Sequence, residues 1–370
     1  MRVALVSKTF VADTAQRQLE WLARLPEVEL TLITPPEWRS DDGRLLPFTP
    51  RFTAGYDVVQ LPIRFNGKYH FYTYRGLRRT LAALRPDIVH IDEEPYNPAG
   101  AQAQRAADAL DAKTVFIAWQ SLYRAYPPPF SWMEQSNYRR TAHIIAGNAD
   151  VADVLRRKGY RGPLSVFSVH GIDPALYAPQ PRNNHSDAIV IGYIGRLLPF
   201  KGVGLLIDAL AALPPSCRLR VVGSGSEEAA LRARAAEQGV GSRVEFLPAV
   251  PTTEVPRVLA GMDVMALPSL TQPNWKEQFG RTLIEAMACE VAVVGSNCGE
   301  IPNVIGDAGL VVPEGDVSAL AAALRRLADD LALRRMLAGR GRERVLEHFT
   351  QERVASRIGT VYREVLGAAG

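Results

Sequence analysis

Cysteine is scarce in this chain of 370 residues. Cys217, Cys289 and Cys298 are odd in number and sit in apolar segments, which argues against a disulfide framework and for a reducing, cytoplasmic setting. No run of about eighteen apolar residues occurs, so no membrane-spanning helix is expected. The opening MRVALVSK is too short an apolar run for a signal peptide and reads as a first strand. Neither sign of charge dominates: 43 Lys and Arg against 39 Asp and Glu leave a net charge of +4 and a pI near 9.0. That balance permits peripheral contact with anionic head groups, or a phosphorylated ligand, without demanding either. With 47% hydrophobic and 22% charged residues the chain is an ordinary globular protein rather than a disordered one. Its length exceeds what one core organises, so two domains are expected.

What is present is alternation. Strand-like runs at 3–7, 28–33, 88–92, 114–119, 143–147 and 165–169 are separated by helical patterns, one of them at 14–25. Near-continuous apolar strands between helices imply a parallel sheet covered on both faces, with ligands gathering at the carboxyl ends of its strands. The loops 8–13, 92–100 and 120–126 lie at such ends. The segment YHFYTYRGLRR at 69–79 interleaves aromatic and basic residues, a mixture that suits an acceptor groove or a bilayer surface. The plainer expectation is a helix that buries its aromatics and solvates its arginines. One basic segment without a helix-turn-helix or zinc pattern gives no case for nucleic acid. Residues 173–188 read as a linker, dividing the chain into domains 1–178 and 179–350, with a terminal helix in 351–370 that can return to the first domain.

The most informative stretch is 268–299, PSLTQPNWKEQFGRTLIEAMACEVAVVGSNCG. A polar, proline-bearing loop gives way at Gly280 to a helical pattern in Leu283, Ile284, Met287 and Ala288. The first N–H groups of such a helix lack carbonyl partners and favour an anion such as a phosphate. Glu277 before this start and Glu285 about one turn inside it would repel a phosphate, so they suit neutral hydroxyls on either side of it. Hydroxyls, charge and more hydroxyls describe a nucleotide-sugar. The alternative is a pair of acids that complement the helix dipole, worth about 0.3–1 kcal/mol.

Two motifs bring further charge or close backbone. In GRLLPFKG, Gly195 and Arg196 end a strand and Lys201 precedes the next helix, a planar fork and a point charge suited to a diphosphate. VVGSGSE runs a strand into Gly223 and Gly225 but lacks the third glycine and the strand-end acid of a dinucleotide fingerprint. No Asp-x-Asp pair lies near these motifs to hold a divalent ion, so no metal and no cofactor beyond a nucleotide-sugar co-substrate is expected.

The order GRLLPFKG, VVGSG, Glu277-Gln-Phe-Gly, Glu285, EAMAC and GEIP resembles the retaining glycosyltransferases of the GT-B fold, and more narrowly glycosyltransferase family four. The resemblance implies an α/β protein of two Rossmann-like, doubly wound domains facing each other across a cleft. It implies a metal-independent transfer of a glucose- or mannose-type hexose from a UDP- or GDP-sugar to a hydroxyl acceptor of unknown identity, with retained anomeric configuration. By the same resemblance Arg196 and Lys201 bind the diphosphate and Glu277 accepts from the sugar hydroxyls beside the backbone of Phe279, Gly280 and Arg281. Thr282 and Leu283 offer amides to the phosphates, Glu285 holds the ribose, and the base lies near Val250. Three departures stand out. Glu290 occupies a helix end where the family usually has glycine suited to a left-handed cap, so Glu290 must find another ending, at a cost of about 1 kcal/mol. The first loop, SKTFVADT, lacks the paired glycines of many relatives. Where many carry a histidine, this chain offers Asp92 or Glu93 to orient an acceptor hydroxyl or take its proton. A doubly wound NAD-dependent oxidoreductase and a non-catalytic sugar-nucleotide-binding module are the competing classes.

Overall fold

Strands that are apolar on both faces are satisfied by parallel pairing beneath helices, and these strands settle that way. The computed structural model describes residues 1–40, 43–181 and 188–367. It forms two units, Met1–Gly171 with Gln351–Gly370, and Ile172–Thr350. The first holds β1 (Arg2–Val6), β2 (Glu29–Thr34), β3 (Asp57–Gln60), β4 (Ile88–Ile91), β5 (Lys113–Ala118), β6 (His143–Ala146) and β7 (Leu164–Val166). They form one parallel sheet in the order β7-β6-β5-β4-β1-β2-β3.

The second unit repeats the plan with β8 (Ile189–Ile194), β9 (Cys217–Val222), β10 (Val244–Leu247), β11 (Val264–Leu267), β12 (Ala292–Ser296) and β13 (Leu310–Val312). Their order is β10-β9-β8-β11-β12-β13, again parallel. Each unit is therefore Rossmann-like and α/β, as the alternation predicts. In each sheet the winding reverses once, between β1 and β4 and between β8 and β11. Helices diverge from such a point and leave a crevice at the carboxyl ends of the two strands.

Three helices bear on function: α1 (Asp13–Ala23), α2 (Arg281–Ala288) and α3 (Gln351–Leu366). The last lies against α1 and buries Val354, Ile358, Val361 and Tyr362 in one core with Leu5, Leu19 and Leu22. Each such side chain contributes roughly 1.5–3 kcal/mol. Polar ties add direction: Tyr362 Oη lies 2.5 Å from His90 Nδ1 on β4, and Arg363 pairs with Glu27 at 2.5 Å.

The structure differs from the sequence reading at three places. Segment 69–79 is not a helix, because Thr73–Tyr74 pairs antiparallel with Ile63–Arg64, and the helix Leu77–Leu84 starts only after Gly76 at φ 81°. Its aromatics do partition, with Tyr72 and Tyr74 buried and Phe71 exposed. The linker reading covers 173–188, but Tyr177 is 2% exposed inside the second unit and Ile172 bridges Thr350. Residues 182–187 of that segment lie outside the described residues. Finally, the helix Leu331–His348 has no counterpart among the expected elements. No described helix is long and apolar enough to cross a membrane.

Candidate functional site

The reversal between β8 and β11 gathers the charged groups of the second unit. Beyond β8, Arg196 is exposed, its carbonyl accepts from Tyr193 Oη at 2.8 Å, and its guanidinium pairs with no described residue. Lys201, in the turn after it, donates to Glu277 Oε2 at 2.6 Å. Ser269 Oγ, just past β11, donates to the same oxygen at 3.0 Å, so Glu277 Oε1 is left without a partner among the described residues. Phe200 and Trp275 pack with ring centres 4.2 Å apart and tilted by 38°, and the Lys201 ammonium stands 4.6 Å from the Trp275 ring. The ammonium is thus held between a carboxylate and an aromatic face. Gly195 and Gly223 end neighbouring strands, and a Cβ on Gly223 would come within 1.9 Å of the Gly195 carbonyl oxygen. Only glycine lets these two strand ends approach so closely.

The start of α2 faces the same reversal. Gly280, at φ 82°, is its N-cap and offers no side chain, so the first N–H groups stay open. Those of Arg281 and Thr282 have no described partner. The Leu283 amide does not join them. It donates to Gly280 O at 2.9 Å, and its side chain is fully buried. Phe279 is buried against Phe349, at 5.6 Å between ring centres, and can offer only backbone. Val250 is half-buried at the edge of the core.

Glu285 is 4% exposed; its Oε1 accepts from Tyr177 Oη at 3.0 Å and from Arg281 Nε at 2.9 Å, leaving Oε2 without a partner among the described residues. Burial pushes its pKa up, and Arg281 opposes the shift. The helix ends in a Schellman turn, with Val291 N–H to Ala286 O at 2.9 Å and Glu290 N–H to Met287 O at 3.1 Å. Glu290 therefore takes the left-handed position itself, at φ 55°, instead of finding another ending.

Comparison with known proteins decides the family. The Glycosyl transferases group 1 model matches residues 178–344, and the Glycosyl transferase 4-like domain model matches residues 11–170. The chain belongs to the family-four, group 1 glycosyltransferases. It is 32% identical over 250 residues to D-inositol 3-phosphate glycosyltransferase of Saccharomonospora viridis, a match covering 61% of this chain and 57% of that protein. Among solved structures, sucrose-phosphate synthase of Thermosynechococcus elongatus matches at 21% identity with a TM-score of 0.76, covering all of both chains. Anabaena HepE in complex with UDP matches at 18% identity and TM-score 0.74, covering 98% of this chain and all of that one. The fold of this glycosyltransferase is GT-B.

The first unit of the glycosyltransferase carries a second polar cluster, at the reversal between β1 and β4. Ser7 Oγ donates to Asp92 Oδ2 at 2.7 Å, and Asp92 is half-buried. Glu93 is sealed in, paired with Lys8 at 3.0 Å. That ammonium also lies 4.6 Å from the Tyr69 ring and 5.4 Å from that of Tyr72. Burial alone would pull the Lys8 pKa down, but Glu93, Tyr69 and Asp92 outweigh it and hold the ammonium charged. Of the two candidate carboxylates, Asp92 is the one within reach of a ligand. Behind them Glu94 is buried, accepts the Trp119 N–H at 2.8 Å, and has its pKa pushed up to about 7 by burial. Among the described residues no three His, Cys, Asp or Glu side chains gather as a metal site would require. Sequence reasoning missed Ser269, Trp275 and Tyr177, which hold the predicted residues in place. The first two sit inside the 268–299 stretch, and Tyr177 lies in the segment read as linker.

Proposed function

We propose that this glycosyltransferase moves a glucose- or mannose-type hexose from a UDP- or GDP-sugar to a hydroxyl acceptor, with retention of configuration and without a metal ion. The observation that carries the reading is the convergence, at one strand reversal, of an unpaired guanidinium, a clamped ammonium and an open helix start, flanked by two glutamates. Each glutamate keeps one oxygen without a partner among the described residues. HepE solved with UDP and with UDP-glucose supports a nucleotide-sugar donor, since it shares the fold.

In this reading Arg196 and Lys201 neutralise the departing diphosphate, helped by the Arg281 and Thr282 amides, where fixed charge lowers the barrier most. Glu277 Oε1 accepts from a sugar hydroxyl and Glu285 Oε2 from the ribose. Gly195 and Gly223 keep the strand ends low enough for the ligand's backbone contacts, and Val250 borders the base. On the first unit, Asp92 is the carboxylate offered to an acceptor hydroxyl. No cofactor is required beyond the co-substrate.

Calorimetry with UDP, GDP, ADP and their sugars tests the donor, because the base restricts the sugar. Slow hydrolysis of the tightest-binding sugar nucleotide in excess EDTA is expected. Complete loss of turnover, restored by magnesium, would contradict the metal-free assignment, and binding of none of these ligands would contradict the donor. Anomeric coupling constants of the product report retention or inversion directly.

A further inference from the structure

From Leu61 to Pro86 the chain holds no acidic residue but six basic ones, Arg64, Lys68, Arg75, Arg78, Arg79 and Arg85. All six side chains are exposed, and none of them forms an ion pair with a described residue. The segment folds as a hairpin: Ile63–Arg64 pairs with Thr73–Tyr74, and residues 65–72 form its tip. The root of the hairpin is fixed. Tyr72 and Tyr74 are fully buried in the first unit's core, and Tyr72 meets Trp38 edge-on at 5.0 Å.

The tip is held as well, by Asn66 to Arg39 and Glu37 and by Phe71 meeting Phe130 edge-on at 5.6 Å, yet its two phenylalanines stay largely exposed. Phe65 is 65% exposed and Phe71 58% exposed, in a turn closed by Lys68 N–H to Phe65 O at 2.9 Å and Phe71 N–H to Lys68 O at 2.8 Å. Phe65 sits at φ 58°, a conformation that L-residues avoid at a cost of roughly 1–2 kcal/mol. Two large apolar rings left mostly in water, one of them in a strained conformation, in a segment whose cations pair with no described residue, are not accounted for by packing within the chain.

We propose that this hairpin tip is a docking surface for an anionic lipid bilayer, with Phe65 and Phe71 entering the interface and Arg64, Lys68 and Arg75 meeting the head groups. Aromatic rings sit well at the boundary of head groups and acyl chains, and basic residues near an anionic surface each add about 1 kcal/mol. Exposed rings flanked by exposed cations suit a flat anionic surface. A nucleic-acid strand asks instead for a charged groove along its backbone.

Sedimentation of the full chain with phosphatidylcholine vesicles, and with vesicles that also carry phosphatidylglycerol, tests this without reference to catalysis. The chain should sediment with the anionic vesicles, and added salt should release it. Replacing Lys68 and Arg75 together by Gln should weaken binding about 25-fold, the conversion of about 1 kcal/mol for each charge at 1.4 kcal/mol per tenfold. Phe65→Ser with Phe71→Ser should abolish it at unchanged circular dichroism. Three results would each overturn the proposal: equal recovery with both vesicle types, salt-independent binding, or tighter binding of a single-stranded oligonucleotide than of the vesicles. Self-association in sedimentation velocity that the same substitutions remove would overturn it too, by assigning the tip to a second copy.

Discussion

Lys201→Met separates the two roles that the structure gives this ammonium. At 2.6 Å from Glu277 Oε2, the pair has a gross attraction of about 6 kcal/mol at an effective dielectric constant near 20. The two side chains are only 13% and 12% exposed, so desolvation offsets much of that, and a net contribution of about 2–3 kcal/mol is the reasonable expectation. Removing Lys201 leaves Glu277 with Ser269 alone, so the second unit should melt several degrees lower. Catalysis should suffer separately, because one of the fixed charges at the leaving group is gone, and a loss of about 10²–10³ in kcat is expected. The double variant Lys201→Met with Glu277→Gln removes the stranded carboxylate. It should recover most of the melting temperature and none of the rate, measured by release of nucleoside diphosphate. Recovery of kcat in the double variant, or a single variant within about threefold of wild type, would refute the placement of Lys201 at the diphosphate.

Glu285→Gln should weaken nucleoside-diphosphate affinity about tenfold by calorimetry while leaving the melting temperature within a few degrees, because Tyr177 and Arg281 can still donate to the amide oxygen. Glu290→Gly should stabilise the second unit by up to about 1 kcal/mol, since glycine takes the left-handed position without strain and the ion pair it removes, Glu290 with Arg342 at 3.7 Å, is long and only partly buried. Two of the buried groups pull the pH dependence in opposite directions. Burial pulls the His90 pKa from 6.5 down to about 4, so between those values the unfolded chain binds the extra proton and stability falls as pH drops. Burial pushes Glu94 from 4.5 up to about 7, so over that window the folded chain binds the extra proton and stability falls as pH rises. The two contributions oppose each other. Glu94→Gln removes the second, so between pH 7 and pH 4 the variant should lose about 3 kcal/mol more than the wild type in urea melts, and a profile unchanged from wild type would contradict the assignment to Glu94.

Much of this was legible in the sequence, for local reasons. The strands declare themselves because β4 reads IVHI and β12 reads AVVGS, runs buried at every position. Glu277, Gly280 and Glu285 lie within nine residues of one another, so their geometry about one helix start follows from helical spacing alone. What was not legible depends on tertiary contact. Tyr177 reaches Glu285 across 108 residues, and nothing near it in the chain announces a buried hydroxyl. The helix Leu331–His348 carries two glycines and five arginines without a clear apolar stripe. It holds because Gly341 lets it press onto α2, where an added Cβ would stand 3.0 Å from Met287 Cγ. The 69–79 segment failed as a helix because pairing with Ile63–Arg64 outweighed its local preference. The choice between Asp92 and Glu93 also needed the fold, since only the approach of β1 to β4 brings Lys8 onto Glu93.

The return of α3 to the first unit has a consequence for how the protein is made. A ribosome makes residues 351–366 only after the whole of the second unit, yet these complete the core that residues 1–171 begin. The second unit, contiguous from Ile172 to Thr350, can therefore mature while the first still waits for its final helix. A chain cut after Thr350 would lose the unit at the other end of the sequence from the cut, and a stand-alone first unit requires α3 to be spliced back onto it.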